Sequence, residues 1–144
     1  MKIKFKIVTP EKSVFDQEVD QATLPIMDGE VTILPNHRSY IGALKAGEIM
    51  VKTDGQETHL AVSGGFVEFN DNKLAVLADT AERAEEIDIK RAEEAVKRAE
   101  DLKQQRQTMD DLEYAKVAAA IEKENARLRV ARRHHTRSGG MDLQ

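Results

Sequence analysis

The feature that most constrains the fold is a change of pattern between Leu77 and Arg98, LADTAERAEEIDIKRAEEAVKR. Upstream of it, apolar residues come in short alternating runs broken by glycine, proline and asparagine. Downstream, no glycine or proline occurs from Asp88 through Ser138. Alternation marks half-buried strands and an unbroken stretch of this kind marks helices, so two architectures stand in series. A chain of 144 residues has room for one ordinary domain or two small ones, and the switch favours two. Carboxylates gather at the junction (Glu82, Glu85, Glu86, Asp88), where free amide hydrogens and the positive end of a helix dipole favour negative charge.

In the first half, Ile3, Phe5 and Ile7 alternate with Lys2, Lys4 and Lys6, a period-2 strand whose lysine face also suits an exposed edge. Val14 and Phe15, then Val19, Ala22 and Leu24 before Pro25, continue the pattern. Met27-Asp28-Gly29-Glu30 reads as a tight turn into Val31, Ile33 and Leu34. Further strands are expected at 40–44, 48–52 and 58–62, the last two joined across Asp54-Gly55, a strong hairpin signal. Ser63-Gly64-Gly65 breaks the next run, Phe66 to Phe69 resumes it, and Asn70-Asp71-Asn72 turns into Leu74 to Leu77. Many short strands at this spacing predict an antiparallel sandwich or barrel over residues 1–84.

The second half predicts an antiparallel α-helical hairpin over residues 85–133. Asp88 caps its first helix, which carries Ala92, Ala95, Ala99 and Leu102 on one face. The pattern lapses over 104–111. Asp110 with Glu113 then forms a capping box, and Tyr114, Val117, Ala118, Ile121, Leu128 and Ala131 make the second stripe, interrupted by Glu124 and Asn125. From His134 a disordered tail, 134–144, is expected. An alanine-rich contact removes little apolar area at about 25 cal/mol per Å², so the hairpin should be held weakly. Each helix should measure about 30 to 36 Å at 1.5 Å per residue, and the straightened pair roughly 65 Å.

Composition excludes more function classes than it supports. There is no cysteine, so disulfides and thiolate metal sites are out and an intracellular setting is the simpler expectation. No run approaches a membrane span, and a net charge of -4 argues against a general nucleic-acid binder. No phosphate-binding GxxxxGK[ST] loop and no HExxH motif occurs. His37 and His59 stand alone and read as structural, and the pair His134-His135 reads as at most an adventitious metal binder. Paired carboxylates at Glu85-Glu86 and Asp110-Asp111 read as helix caps rather than as an acid–base pair. No catalytic or metal residue is assigned, and the chain is not expected to be an enzyme.

Two charged sets remain. Arg91 and Arg98, seven apart, lie about 20° from each other on a helix and can address one anion, with Asp88 and Glu82 as acceptors and Lys123 and Arg127 from the second helix. The same spacing, with Glu94 and Arg98 four apart, fits an ordinary solvated ladder. Arg127, Arg129, Arg132 and Arg133 crowd the end of the second helix and suit an acidic partner surface.

Asp28-Gly29-Glu30, Leu34-Pro35-Asn36-His37, Lys45-Ala46-Gly47, Ser63-Gly64-Gly65-Phe66, Leu77-Ala78-Asp79-Thr80-Ala81 and the ending Leu128-Arg129-Val130 follow in order and spacing. In combination they resemble the ATP synthase epsilon subunit family, over residues 1 to 131. That resemblance implies a β-sandwich followed by a helical hairpin in a central-stalk rotor subunit. Its sandwich would sit on the gamma subunit and the membrane c-subunit ring, coupling proton flow to ATP synthesis. It further implies inhibition of ATP hydrolysis by the C-terminal helices, docking on the catalytic beta and the alpha subunits through Arg127, Arg129, Arg132 and Arg133. Ile87-Asp88-Ile89-Lys90-Arg91-Ala92 is similar to the family's ATP-recognition segment [IL]-D-x-x-R-A, Arg98 follows at the matching place, and Glu82 and Arg127 match pocket residues of ATP-binding members. Lys116 and Lys123 stand where some of those members have arginine, giving point charges instead of forks. ATP, with Mg2+ as an optional companion, is thus expected as a regulatory ligand that favours the compact, non-inhibitory state and is not hydrolysed. The expected location is peripheral, on the cytoplasmic side of a bacterial cell membrane, through the complex and without insertion. The alternative is a purely structural coupling subunit with a permanently docked hairpin and no ATP binding.

Overall fold

The computed structural model describes residues 1–105 and 109–142, with backbone alone for 135–142. Eight strands come first: β1 (Ile3–Val8), β2 (Ser13–Val19), β3 (Gln21–Ile26), β4 (Gly29–Ile33), β5 (Tyr40–Ala43), β6 (Gly47–Thr53), β7 (Gln56–Asn70) and β8 (Lys73–Arg83). They form a sandwich from one connected sheet in the order β2-β1-β8-β7-β6-β3-β4, with β5 also paired to β7. Local turn chemistry sets the two longest hairpins. Asp54 and Gly55 (φ 52° and 80°) close β6 on β7, and Asp71 and Asn72 (φ 52° and 58°) close β7 on β8, both using the left-handed values that a two-residue hairpin demands.

Period-2 alternation buries Ile3, Phe5 and Ile7 of β1 against Phe15 and Val19 of β2, Leu24 of β3, Ile49 and Val51 of β6, and Leu74 and Val76 of β8. The lysine face of β1 is solvated as expected, but β1 is not an edge. It lies between β2 and β8, and its pairing with β8 is parallel, from Lys4↔Lys73 to Val8↔Leu77. A parallel partner so far along the chain leaves no local signal.

The Ser63-Gly64-Gly65 stretch also departs from expectation, because it bends a strand instead of ending one. β7 runs through it, pairing with β6 before the glycines and with β5 after them. Inward positions change parity there, from Leu60 and Val62 to Val67 and Phe69, while the register with β8 holds from Leu60↔Arg83 to Asn70↔Lys73. Gly65 has φ 112°, and a Cβ on it would collide with the Leu77 carbonyl, so the bend needs glycine.

A single turn, Ala84–Glu86, leads to α1 (Ile89–Lys103) and α2 (Asp111–Asp142). Both expected caps form: Arg91 N donates to Asp88 Oδ1 at 3.1 Å and Glu113 N to Asp110 Oδ1 at 2.8 Å. The helices are less equal than their stripes suggest, about 22 Å and 48 Å long. Part of the expected lapse between them, Arg106 to Thr108, lies outside the described residues. A second core joins the two halves: Ala61 of β7, Ala84, Ile87, Ala92 of α1, and Leu128, Val130 and Ala131 of α2. The tail expected from His134 is corrected here, since α2 continues to Asp142 and the His134 side chain is packed, 14% exposed, with its ring 3.7 Å from that of His59. Polar packing, invisible to an apolar stripe, holds it. Leu143 and Gln144 lie outside the described residues.

Candidate functional site

The charged residues singled out by sequence fall into two groups. One forms a seam between sandwich and hairpin. Arg127 Nη1 donates to Glu124 Oε2 at 2.6 Å and Nη2 to Glu82 Oε2 at 3.2 Å, while Nε lies 2.6 Å from Glu82 Oε1 outside hydrogen-bond alignment. Its side chain is only 20% exposed. Burial works against the Arg127 charge, yet the hydrogen bonds it donates to Glu124 and Glu82 outweigh it and hold the proton more tightly than in a free arginine. One turn on, Arg132 Nη2 donates to Glu93 Oε1 of α1 at 2.8 Å, and Arg133 Nη1 to Glu48 Oε2 of β6 at 2.7 Å. Burial opposes ionisation of Glu48 as well, but hydrogen bonds from His134 and His59 prevail and keep its carboxyl below the usual range. Arg129 is exposed. Three of the four arginines expected to meet a partner's acidic surface are therefore paired within the chain, to Glu82, Glu93 and Glu48.

The second group lies on α1. Asp88 caps the helix, with Oδ2 3.9 Å from Arg91 Nε, and the Arg91 side chain is 83% exposed. Arg98 is exposed too, with no ion-pair partner among the described residues. Ile87 and Ala92 are buried together in the second core, where they position the cap and not a ligand-facing surface. The structure thus brings Glu82 to Arg127 and Asp88 to Arg91, and leaves Arg98 apart. Lys123 lines a cleft of about 500 Å³ with Met27, Lys45, Gly64, Asp79 and Ala119, and its Nζ lies 3.9 Å from Glu124 Oε1, at the margin of the first group.

Sequence reasoning missed two features. Ile41, Phe66 and Leu77 are 76%, 64% and 61% exposed and line one shallow apolar pocket on the outer face of β5, β7 and β8. The parity change at the glycines turns Phe66 outward, so no uniform alternation could have foretold it. The other is the meeting of Glu48, His59 and His134, three residues remote in sequence.

A sandwich with an outward apolar patch is joined to a two-helix arm by a small core and a ladder of ion pairs, which defines a two-domain β-sandwich and helical-arm protein. Residues 2–84 match the ATP synthase delta/epsilon chain β-sandwich domain and residues 85–132 the long α-helix domain of the same chain. The chain belongs to the ATP synthase delta/epsilon family. It is 47% identical over 136 residues to the ATP synthase epsilon chain of Dehalococcoides mccartyi, covering 93% of this chain and 96% of that one. It is 42% identical over 128 residues to the epsilon chain of Nitratidesulfovibrio vulgaris, covering 89% and 94%. In solved structures the fold recurs in the Euglena gracilis mitochondrial ATP synthase, with TM-score 0.73 and 22% identity over 87% of this chain and 78% of that one. It recurs also in the central stalk and c-ring of the Tetrahymena thermophila mitochondrial enzyme, with TM-score 0.52 and 16% identity over 60% and 69%.

Proposed function

We propose that this chain is the non-catalytic epsilon subunit of the central stalk of a proton-translocating ATP synthase, and that its hairpin is a releasable brake on ATP hydrolysis. The observation that carries the brake is the pairing of Arg127, Arg132 and Arg133 with the chain's own carboxylates. A released arm keeps the same arginines and needs new carboxylates, which acidic surfaces of the alpha and beta subunits supply. The exchange costs little at Arg132 and Arg133, where partly exposed ion pairs contribute about 0.2 to 1 kcal/mol each, and more at the half-buried Arg127.

The sandwich attaches to the gamma subunit and the c-subunit ring, and the apolar patch of Ile41, Phe66 and Leu77 suits burial in such an interface. No helix among the described residues is long and apolar enough to cross a membrane, so membrane location comes through the complex.

ATP acts as a regulatory ligand. Arg91 and Arg98 would hold phosphates as exposed forks, with Asp88, Glu82 and Arg127 completing the site and Ile87 and Ala92 fixing the helix start; Mg2+ can accompany the nucleotide. ATP that binds only the folded-back arm favours it by RT ln(1 + [ATP]/Kd), about 2.7 kcal/mol at 100 times Kd. The second reading, a permanently docked arm, draws on the half-buried double pairing of Arg127. Distance labels on the sandwich and beside Arg132, in the assembled synthase, decide between them. The gated arm separates as ATP is removed; a separation indifferent to ATP overturns the gate.

A further inference from the structure

We infer that Glu48, His59 and His134 form a binding site for one divalent ion of the Zn2+ class, clamping α2 to the sandwich. Glu48 Oε1 lies 2.6 Å from His59 Nδ1 and 2.7 Å from His134 Nε2, and one ligand atom from each residue falls within 4.8 Å of the others. Two imidazole nitrogens and one carboxylate oxygen are a donor set that Zn2+ accepts, with water in the fourth position. Ligands about 2.0 to 2.1 Å from Zn2+ stand about 3.3 Å apart at tetrahedral angles, so less than about 1 Å of opening at the two Glu48 contacts, with a re-tilting of the stacked rings, admits the ion.

The surroundings call for a cation. His59 faces carboxylates at both nitrogens, with Nε2 3.2 Å from Glu57 Oε2. A neutral imidazole carries one N–H, so if Nε2–H donates to Glu57, a lone pair on Nδ1 is turned at Glu48. A metal ion at Nδ1 satisfies that lone pair while Nε2–H stays on Glu57. The near-parallel stacking of His59 on His134, with 22° between planes, holds the two rings side by side at Glu48. The carboxylate–histidine–metal relay that Glu57 would complete is the outer-shell pattern of known metal sites, and Arg133 fixes the other oxygen of Glu48 so that Oε1 points at the two rings. With neutral imidazoles, Glu48, Glu57 and Arg133 sum to one negative charge. The cluster borders a cleft of about 370 Å³ shared with Thr23, Glu30 and Met50, which gives an ion and its water access.

The three ligands come from β6, β7 and α2, so the set is complete only while the arm is docked. At 100 times its Kd the ion multiplies the docking equilibrium about 100-fold. This holds whether or not ATP gates the arm.

The test is titration of the full chain with Zn2+ against a chromophoric chelator, and with Co2+ read by its visible absorption. The expected result is one equivalent bound, with the intense bands of a four-coordinate site. His134→Ala and His59→Ala each abolish it, Glu57→Gln weakens it about 10-fold to 100-fold, and His135→Ala and His37→Ala leave it unchanged. Glu57 is exposed enough that its variant reports on binding even where His59→Ala perturbs the strand. Zn2+ should also slow amide exchange in α2 of the parent chain and not of His134→Ala. Absence of stoichiometric binding, or binding that survives His59→Ala and fails in His135→Ala, overturns the site.

Discussion

Glu82→Gln is the sharpest probe of what holds the arm. The substitution keeps volume and an acceptor and removes only charge, leaving Arg127 with Glu124 as its one carboxylate. Opposite charges about 4 Å apart near a protein surface attract by about 4 kcal/mol, part of which desolvation cancels, so a charge-assisted contact is worth about 1.5 to 3 kcal/mol. The more exposed pairs Arg132–Glu93 and Arg133–Glu48 belong to the class worth about 0.2 to 1 kcal/mol, which singles out Glu82. Because Glu82 joins the arm to the end of β8, the loss should fall on docking: the undocked population should rise roughly 10-fold to 150-fold. Amide exchange resolved by residue reads this directly. Ala126 to Ala131 should exchange faster by that factor while Val67, Phe69 and Ile7 in the sandwich keep their rates. Unchanged exchange in α2, or equal acceleration in the sandwich, would refute the assignment of this pair to docking.

A chain ended after Ala84 should still melt cooperatively, since Ile3 to Ala81 close a core without the helices; a broad, featureless melt in calorimetry contradicts this. Gly65→Ala should destabilise the sandwich by about 1 to 3 kcal/mol, because φ 112° and the Leu77 carbonyl both oppose a Cβ, and an unaltered melting temperature would refute the bend argument. Arg91→Ala should weaken ATP binding to the isolated chain roughly 10-fold to 150-fold in a calorimetric titration, with no hydrolysis by either form; equal affinities would return Arg91 to a solvated ladder. Replacing Arg127, Arg129, Arg132 and Arg133 together by alanine should relieve inhibition of hydrolysis in the assembled synthase while synthesis persists, and full inhibition in that variant would exclude these residues as the brake's contacts.

Features encoded within a few residues were legible in the sequence. Asp88 and Asp110 cap their helices because a cap depends on the next three amides, and Asp54-Gly55 closes its hairpin because left-handed backbone is a local requirement. Features set by distant pairing were not. β1 beside β8 follows from closing the sheet, and Gly64-Gly65 resembles a strand end until β5 and β6 are seen to share the edge of β7. The same holds for the site. Arginine spacing on α1 could be read, whereas the carboxylates that hold Arg127, Arg132 and Arg133 come from β8, α1 and β6. His134 reads as tail because the apolar stripe ends before it, whereas its partners Glu48 and His59 are polar and distant in sequence.

The placement of β8 bears on how the molecule carries load. The arm's tether leaves from Arg83, the end of a strand flanked by β1 on one side and β7 on the other. Tension along that tether draws β8 lengthwise between two ladders, so many backbone bonds resist together in shear, whereas an edge strand would unzip one bond at a time. With ladders from Lys4↔Lys73 to Val8↔Leu77 and from Leu60↔Arg83 to Asn70↔Lys73, the sandwich is an anchor that yields after its arm does. Torque delivered through the arm would therefore separate Arg127 from Glu82 before it loosened the strand from which the arm hangs.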